Sequence, residues 1–427
     1  MSGVSSWIPA AAAKHPDRVA VETPERNLTY AELRDAAVGA AGALQAQGVG
    51  VDSRVALALP AGVDFLIAFH GCLVAGAAAV PIDLRLTDSE REDRMARADV
   101  VVREPLSRAP LNMRIVTRRD RPAAVMHTSG TTAGPKPVAL SQANFLASAL
   151  GSAVALGLDP AERWLCPMPL THVGGLSIPI RSAIYATTAV LRGRFETEAV
   201  LTELMDPGRR TTIVSLVPTM LARLLDAGLR HPPTLRWALL GGGPIAPALL
   251  ERATDAGVPV APTYGMTEAC SQIATFGWPL AGVELRTAGD GEVLVRGPIV
   301  SADAEGEDGW LHTGDLGRFD SRGRLEIVGR KTDTIVTGGE NVAPAEVEAT
   351  LLEHPAVADA AVHPRADSEW GETVVATVVL RNGSTAGPDE LRAHCAARLA
   401  AFKVPKTVEF ADRLPRTASG KLLRRQL

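Results

Sequence analysis

A short run of hydroxyl-bearing residues and glycines has the composition of an anion-binding loop. It occupies positions 128–136, Thr-Ser-Gly-Thr-Thr-Ala-Gly-Pro-Lys, between a strand candidate ending at His127 and a helix candidate beginning near Ser141. Glycines let backbone N–H groups turn inward, hydroxyls donate, and Lys136 adds a positive charge, so the run suits a phosphate group. It is not a Walker A loop, because Pro137 follows Lys136 where that motif needs Ser or Thr.

Further glycine-rich and charged segments follow this loop along the chain. They are Gly241-Gly242-Gly243-Pro244, Tyr264-Gly265-Met266-Thr267-Glu268, Trp310-Leu311-His312-Thr313-Gly314-Asp315, Gly329-Arg330-Lys331, Gly338-Gly339-Glu340-Asn341 and Gly420-Lys421. Each alone has an ordinary explanation, such as a turn acid or a surface lysine. Together with the loop they closely resemble, in the same order, the motifs of the adenylate-forming superfamily of acyl-CoA synthetases, adenylation domains and luciferases. The resemblance covers nearly the whole chain.

The resemblance implies a role for each matching residue. The phosphates of ATP would be bound by Thr128, Ser129, Gly130, Thr131, Thr132, Lys136 and Thr267. The adenosine half would be bound by Gly241, Gly242, Gly243, Tyr264, Gly265, Met266, Asp315 and Arg330. Glu268 would hold Mg²⁺ and take part in catalysis, Gly339 would line the pantetheine channel, and Lys421 would be the catalytic lysine.

These roles imply an ATP-dependent acid–thiol ligase that forms an acyl-adenylate and then a CoA thioester. Activating a carboxylate brings two anions together, so Mg²⁺ and Lys136 would neutralise the triphosphate while Lys421 neutralises the carboxylate. The expected cofactors are ATP, Mg²⁺ and coenzyme A. Ala133 and Pro137 stand where the family has glycine. Neither change removes a donor side chain, although Pro137 lacks an amide N–H, and their effect on the loop is left open.

The acid is indicated by residues 169–182, 215–221 and 267–273, which resemble the o-succinylbenzoate:CoA ligases of menaquinone biosynthesis. No aspartate follows His172, whereas amino-acid-activating domains place one there, so an aryl or keto acid is favoured. His172 would lie on the acyl side of the site as a catalytic and substrate-contacting residue. Arg181 is predicted to meet the second carboxylate of a dicarboxylic acid, and a structural role on a helix is the alternative.

Three classes of function remain open. The first is the CoA ligase, acting on this or another aryl or acyl acid. The second is an adenylation enzyme that loads the thiol of a carrier protein. The third is a non-catalytic nucleotide-binding protein of the same fold, which the joint presence of Glu268, Asp315 and Lys421 disfavours.

Short β-branched runs alternate with helical segments over the first three quarters of the chain, which predicts βαβ units and a layered α/β body. The strand candidates are residues 54–59, 123–127, 164–167, 213–217, 237–240 and 258–262. Thr29-x-x-Glu32 forms a capping box at the start of a helix predicted over residues 30–47, and Thr87-x-x-Glu90 starts another.

The pattern of predicted secondary structure changes after about residue 282. Glycine-punctuated strands at 292–296, 317–319 and 325–328 predict a small β-subdomain. A helix at 344–352, strands at 357–362 and 373–380, a helix at 389–400 and a strand at 407–410 predict a separate α+β domain. The expected fold class is therefore α/β, with a large layered N-terminal domain (residues 1–329, AMP-binding) and a small mobile C-terminal domain (residues 330–427, carrying Lys421). The hinge is predicted at 329–333.

Composition argues against several classes of partner. The 427 residues carry a net charge of −4, so no basic surface for nucleic acid is expected. No apolar run reaches the ~18 residues of a membrane span, and the first residues lack a basic segment followed by an apolar stretch, so we expect a cytoplasmic protein. The 4 cysteines lack the spacing of a disulfide framework or zinc site. Assembly as a homodimer is left open.

Overall fold

The computed structural model describes residues 7–111, 119–128, 136–416 and 422–427. The α-helices in these ranges are α1 (Trp7–Lys14), α2 (Tyr30–Ala46), α3 (Val63–Ala75), α4 (Asp88–Met95), α5 (Gln142–Leu156), α6 (Val173–Tyr185), α7 (Thr197–Met205), α8 (Pro218–Asp226), α9 (Pro247–Asp255), α10 (Pro344–Leu352) and α11 (Pro388–Ala396). The strands are β1 (Val19–Glu22), β2 (Asn27–Thr29), β3 (Arg54–Leu57), β4 (Ala78–Pro81), β5 (Val100–Val102), β6 (Pro122–His127), β7 (Pro137–Ser141), β8 (Arg163–Cys166), β9 (Thr188–Leu191), β10 (Ile213–Leu216), β11 (Trp237–Leu240), β12 (Val260–Met266), β13 (Ser271–Thr275), β14 (Trp278–Pro279), β15 (Glu284–Thr287), β16 (Glu292–Arg296), β17 (Leu311–Phe319), β18 (Leu325–Arg330), β19 (Ile335–Thr337), β20 (Glu340–Val342), β21 (Val357–Asp367), β22 (Gly371–Leu380) and β23 (Thr407–Phe410).

Two mostly parallel sheets form the large N-terminal domain. The strand order is β14-β13-β12-β11-β10-β8-β9-β1-β2 in one and β5-β3-β4-β6-β7 in the other. The strands from β1 through β9, β8, β10 and β11 to β12 are all parallel to their neighbours. Helices alternate with these strands along the chain. The predicted layered α/β body is therefore confirmed.

Both predicted capping boxes are present. The Thr29 hydroxyl accepts from the Glu32 N–H (3.2 Å) while the Glu32 carboxylate accepts from the Thr29 N–H (2.8 Å), and Thr87 and Glu90 repeat the pattern. Ser141 and Asn144 form a third box at the start of α5. An N-cap typically contributes ~0.5–2 kcal/mol, so these helix starts are fixed by local sequence.

The strand β7 was not predicted. It runs antiparallel to β6, with His127 opposite Pro137. A proline is tolerated here because it is the first residue of a strand at the edge of its sheet. Residues 128–136 therefore connect two strands of a hairpin, rather than leading from a strand straight into a helix.

The remaining strands form the predicted β-subdomain and the smaller C-terminal domain. Strands β15 to β18 make an antiparallel sheet. The C-terminal sheet has the order β20-β19-β22-β21, with β23 parallel to β22, and its apolar residues form a core of their own with those of α10 and α11. Helix α11 ends at Ala396, earlier than predicted. Arg330 still belongs to β18, and the domain boundary at 329/330 stays a prediction.

Cys72, Cys166, Cys270 and Cys395 are buried free thiols. Within the ranges given above, the helices are all too short or too polar to cross a membrane.

Candidate active site

The glycine loop at 241–243 lies at the carboxyl edge of the nine-stranded sheet. It follows β11, and the Gly241 N–H donates to the carbonyl of Leu216 at the end of β10 (3.1 Å). A Cβ on Gly241 would lie 2.8 Å from Thr263 Cγ2, so the loop passes β12 too closely for a side chain. Gly242 has a φ of +81°, which favours glycine. Parallel sheets bind ligands at this edge, and the predicted contact of this loop with the adenosine half of ATP stays a prediction.

Tyr264, Asp315 and Arg330 meet at one point beside this edge. The Tyr264 hydroxyl donates to Asp315 Oδ2 (2.7 Å), and Arg330 Nε lies 2.7 Å from Asp315 Oδ1. Asp315 is 5% exposed and pairs with Arg330 across β17 and β18. Burial and the charge of Asp315 raise the pKa of Tyr264, so its hydroxyl remains a donor. The structure thus brings together three residues that were predicted to contact the nucleotide.

The chain turns sharply at the end of β12, after Met266. A Cβ on Gly265 would lie 1.6 Å from the carbonyl oxygen of Ser271, so this position must be glycine. Thr267–Ala269 form a 3₁₀ turn, followed by Cys270 and Ser271 with φ of 50° and 87°. Left-handed backbone at a residue other than glycine costs about 1–3 kcal/mol and often marks a functional site.

Glu268, the predicted Mg²⁺ ligand, lies partly exposed on this turn. Its carbonyl accepts from the Ser301 N–H (2.8 Å), which fixes the backbone. In the described ranges no three His, Cys, Asp or Glu side chains cluster closely enough to hold a metal ion. Mg²⁺ usually takes one or two carboxylates and completes its shell with water and substrate phosphates. A single glutamate therefore fits a magnesium ion that arrives with a triphosphate.

The predicted phosphate loop is described only at its two ends. The Thr128 N–H donates to the Lys136 carbonyl (3.0 Å), which closes the mouth of the β6–β7 hairpin. Lys136 is exposed, so its ammonium group can meet an anion from solvent. Ser129, Gly130, Thr131 and Thr132 lie outside the described residues, and their phosphate contacts stay a prediction.

His172 is the N-cap of α6 and lies near Asp83 and Arg85. Burial lowers the pKa of His172, and the charge of Asp83 offsets part of this effect. Arg85 Nε donates to Asp83 Oδ1 (2.8 Å). The imidazole is therefore neutral near pH 7 and offers one donor and one acceptor rather than a charge. Its predicted catalytic and substrate-contacting role is compatible with a neutral wall of the acyl pocket, and stays a prediction.

Arg181 lies on the same helix and is 2% exposed. Its Nη2 donates to Ser148 Oγ (3.0 Å), and its Cζ lies 5.6 Å from the centre of the Trp164 ring. No carboxylate of the described chain pairs with Arg181, and its buried Nε has no hydrogen-bond partner. Burial lowers the pKa of the guanidinium, but arginine keeps its proton in proteins. Arg181 is thus a buried charge without an ion pair among the described residues, and its contact with the second carboxylate of the acid stays a prediction.

Gly338 and Gly339 form the two-residue turn between β19 and β20, with φ of 57° and 84°. Such a turn needs glycine because both central residues have positive φ. A Cβ on Gly338 would lie 2.6 Å from the ring of Trp370, which is 42% exposed and has Lys406 Nζ 4.2 Å from its centre. An exposed indole beside a lysine can stack a base and neutralise a phosphate. This pair was not predicted, because one tryptophan carries no sequence signal.

Lys421 lies outside the described residues, although both ends of its segment are described. Arg416 and Leu422 form a β-bridge, and the Leu423 N–H donates to the Pro415 carbonyl (2.9 Å). Arg416 Nη2 lies 2.8 Å from Asp359 Oδ1, and Arg424 Nη2 lies 2.6 Å from Glu348 Oε1 in α10. These contacts attach both ends of the segment to the small domain.

Glu292 is a further residue that was not predicted. Its carboxylate accepts from the Gly314 N–H (2.9 Å) and from Lys331 Nζ (3.2 Å), and Lys331 also lies 2.5 Å from Asp290. A buried acid therefore joins the segment before Asp315 to the predicted hinge. No spacing rule reveals such contacts, since the partners are 22 and 39 residues apart.

The chain matches known enzyme families over most of its length. Residues 8–109 and 103–302 match the AMP-binding enzyme family, and residues 346–421 match the AMP-binding enzyme C-terminal domain. The 2-succinylbenzoate–CoA ligase of Bacillus licheniformis is 38% identical, with 99% of each chain covered.

Solved structures of the o-succinylbenzoate CoA synthetase of Bacillus subtilis are also similar. The complex with the acyl-adenylate intermediate OSB-AMP has a TM-score of 0.90 at 36% identity, covering 99% of this chain and 97% of that one. The complex with ATP and magnesium ion also gives 0.90 at 36%, covering 99% of each. A double mutant bound to the product analogue OSB-NCoA gives 0.73 at 36% identity, covering 99% and 97%. The chain therefore belongs to the AMP-binding enzyme family, alongside the 2-succinylbenzoate–CoA ligases.

Proposed function

We propose that the chain is an AMP-forming 2-succinylbenzoate–CoA ligase of menaquinone biosynthesis. The observation that carries the proposal is the meeting of Tyr264, Asp315 and Arg330 at a nucleotide-binding edge. It occurs in a chain similar over its full length to ligases of that name. The substrates are the dicarboxylic acid, Mg²⁺–ATP and coenzyme A.

In the first half-reaction a carboxylate oxygen of the acid attacks the α-phosphorus of ATP, and the bond to pyrophosphate breaks. The ribose hydroxyls replace Tyr264 and Arg330 as donors to Asp315, so Arg330 becomes available to a phosphate oxygen. Thr128, Lys136 and the loop between them hold the triphosphate, with Mg²⁺ on Glu268. Lys421 stabilises the charge that gathers between the carboxylate and the α-phosphate.

In the second half-reaction the thiol of coenzyme A attacks the acyl carbonyl, and AMP leaves with the former carboxylate oxygen. The Gly338–Gly339 turn, Trp370 and the ends of the Lys421 segment all lie on the small domain. A rotation of this domain about 331–332 lets different faces serve the two steps. The lower TM-score against the product-analogue complex of the Bacillus subtilis enzyme supports two arrangements.

The buried Arg181 supports the choice of a dicarboxylic acid. A charge-assisted pair with the carboxylate that is not activated would contribute ~1.5–3 kcal/mol. Arg181→Ala should therefore lower kcat/KM for 2-succinylbenzoate roughly tenfold to a hundredfold in a pyrophosphate-release assay. Arg181→Met, which keeps the length and removes the charge, should lose a similar factor. Benzoate-type monocarboxylic acids should lose much less, and an equal loss for both acids would assign Arg181 a structural role.

A panel of acids tests the proposed function itself. With ATP and Mg²⁺, 2-succinylbenzoate should support the fastest pyrophosphate release, and added coenzyme A should yield the free thioester by mass spectrometry. A different preferred acid would redirect the proposal to another acyl-CoA ligase. Adenylate formation without transfer to coenzyme A would favour the loading of a carrier-protein thiol.

A further inference from the structure

Ser148 joins the acid side of the site to the turn that carries Glu268. This residue lies on α5 and is 1% exposed. Its Oγ lies 3.0 Å from Arg181 Nη2 on α6 and 2.8 Å from the carbonyl oxygen of Cys270. One buried hydroxyl therefore contacts both Arg181, which is proposed to bind the acid, and Cys270, which ends the 3₁₀ turn.

The direction of both hydrogen bonds follows from the chemistry of the groups. An arginine side chain only donates, and a carbonyl oxygen only accepts. Ser148 has one O–H, so it must accept from Arg181 and donate to Cys270. The positive charge of Arg181 polarises this hydroxyl and strengthens its bond to the carbonyl. The three groups form a relay of fixed polarity.

Cys270 is a strained residue at the end of that relay. Its φ is 50°, and its N–H donates to the Thr267 carbonyl (3.0 Å), closing the turn around Glu268. A non-glycine residue keeps this conformation only where its surroundings impose it, and the bond from Ser148 is one such restraint. The Cys270 carbonyl therefore lies within one hydrogen-bonded turn of Thr267 and Glu268.

We infer that Ser148 is a positioning residue that couples binding of the acid to binding of Mg²⁺–ATP. The inference rests on the proposed function, in which Arg181 binds the acid and Glu268 holds the metal. A carboxylate on Arg181 fixes the guanidinium, and through Ser148 this restrains the turn. Each ligand orders the same relay, so the second ligand meets a turn that is already ordered and binds more tightly. Thermodynamic linkage requires the effect to be reciprocal.

Equilibrium titration of 2-succinylbenzoate and of α,β-methylene-ATP with Mg²⁺, each alone and with the other saturating, tests this coupling. In the wild type the second ligand should bind about 5- to 150-fold more tightly than it does alone. Ser148→Ala should bring this ratio close to one, and Ser148→Thr, which keeps the hydroxyl, should retain most of it. The matched control is Ser152→Ala on the same helix. Ser152 is equally buried and has no hydrogen bond to Arg181 or Cys270, so its removal should leave the ratio unchanged.

Two results would overturn the coupling: a wild-type ratio near one, or an unchanged ratio in Ser148→Ala. Weaker binding of each ligand alone with the ratio preserved would assign Ser148 a structural role. If Ser148→Ala does not fold, Ser148→Cys replaces it, and its weaker donor should give a reduced ratio. Failure of the proposed function is distinct, since the wild type would then release no pyrophosphate with 2-succinylbenzoate. In that case the ratio is measured with the acid that does support pyrophosphate release. The results for the wild type and Ser148→Ala then decide the coupling in the same way.

Discussion

Asp315 is oriented before any nucleotide arrives. Both of its oxygens are bound, one by Tyr264 and one by Arg330, and its backbone N–H donates to Thr313 Oγ1 (3.1 Å). A ribose therefore exchanges one set of donors for another without having to reorganise the carboxylate. Such preorganisation lets a buried charge bind a polar ligand without a large desolvation penalty at that moment.

The change Asp315→Asn tests this arrangement. The asparagine side chain keeps the shape of aspartate but has an amide donor in place of one acceptor oxygen. The charge-assisted bonds from the ribose hydroxyls, worth ~1.5–3 kcal/mol, are then lost, so the Kd of ATP should rise roughly tenfold to a hundredfold. Tyr264→Phe is the control, because it keeps the ring that stacks on adenine and removes only a competitor for Asp315. Its Kd, measured by the same titration, should stay close to wild type. Equal losses in both variants would argue against Asp315 as the ribose ligand.

Candidate site residues that belong to a recognisable motif were predicted from the sequence. Residues whose contacts join distant segments of the chain were not. Tyr264, Asp315 and Arg330 were all assigned to the nucleotide, and the structure places them in contact. Ser148 and Glu292 look like ordinary helix and strand residues. Their contacts with Arg181 and with Gly314 form only when α5 packs against α6 and β16 pairs with β17. The pattern of a single segment does not indicate such contacts.

Elements were predicted well where local signals define their ends. The helix at Pro344–Leu352 and the strands at Trp237–Leu240 and Glu292–Arg296 have the expected bounds. The hairpin strands β7, β19 and β20 were not predicted, because each is stabilised by pairing with its partner strand rather than by a local sequence signal. Helix α3 was not predicted, since most of its residues are buried and the helix therefore has no amphipathic period.

Helix α3 also contains a buried histidine that should make stability depend on pH. Burial lowers the pKa of His70 to about 3 from an ordinary value of 6.5, and its Nδ1 has no hydrogen-bond partner. The folded protein keeps His70 neutral, so between these values the unfolded chain binds the extra proton. Above about pH 6.5 His70 does not lower the free energy of unfolding. On acidification below that pH, the free energy of unfolding falls by at most ~1.4 kcal/mol per pH unit because of this residue.

Urea unfolding at neutral and mildly acidic pH measures this effect. His70→Met, which is apolar and does not titrate, should lose less stability than the wild type between about pH 7 and 5, by up to ~2 kcal/mol. The same pH dependence in His70→Met and the wild type would mean that folding does not lower the pKa of His70.

At the scale of the whole molecule, the small domain is proposed to supply residues for both half-reactions. The ends of the Lys421 segment and the Trp370–Lys406 pair are attached to it, while the nucleotide-binding residues lie on the large domain. Lys331, held by Asp290 and Glu292, ties the predicted hinge to the β-subdomain in this arrangement. The mobile character of the domain, the cytoplasmic location and the question of a homodimer stay predictions.

Two lysines of the small domain should separate the half-reactions. Lys421→Ala should slow pyrophosphate release by ~10²–10³, with ATP affinity nearly unchanged, because it removes one donor that acts mainly in the transition state. Given chemically made acyl-adenylate, this variant should still transfer the acyl group to coenzyme A at close to the normal rate. Lys406→Ala should do the reverse and impair only the thioester step. Equal defects of Lys421→Ala in both assays would contradict its assignment.

The most direct test of the central claim follows one oxygen atom through the reaction. The enzyme is given 2-succinylbenzoate labelled with ¹⁸O in both carboxyl groups, together with Mg²⁺–ATP and coenzyme A, and the products are weighed by mass spectrometry. Attack of a carboxylate oxygen on the α-phosphorus predicts AMP that carries one ¹⁸O atom, pyrophosphate that carries none, and 2-succinylbenzoyl-CoA that keeps the other three. Formation of ADP, label in a released phosphate, or AMP without ¹⁸O would contradict an acyl-adenylate mechanism for this chain.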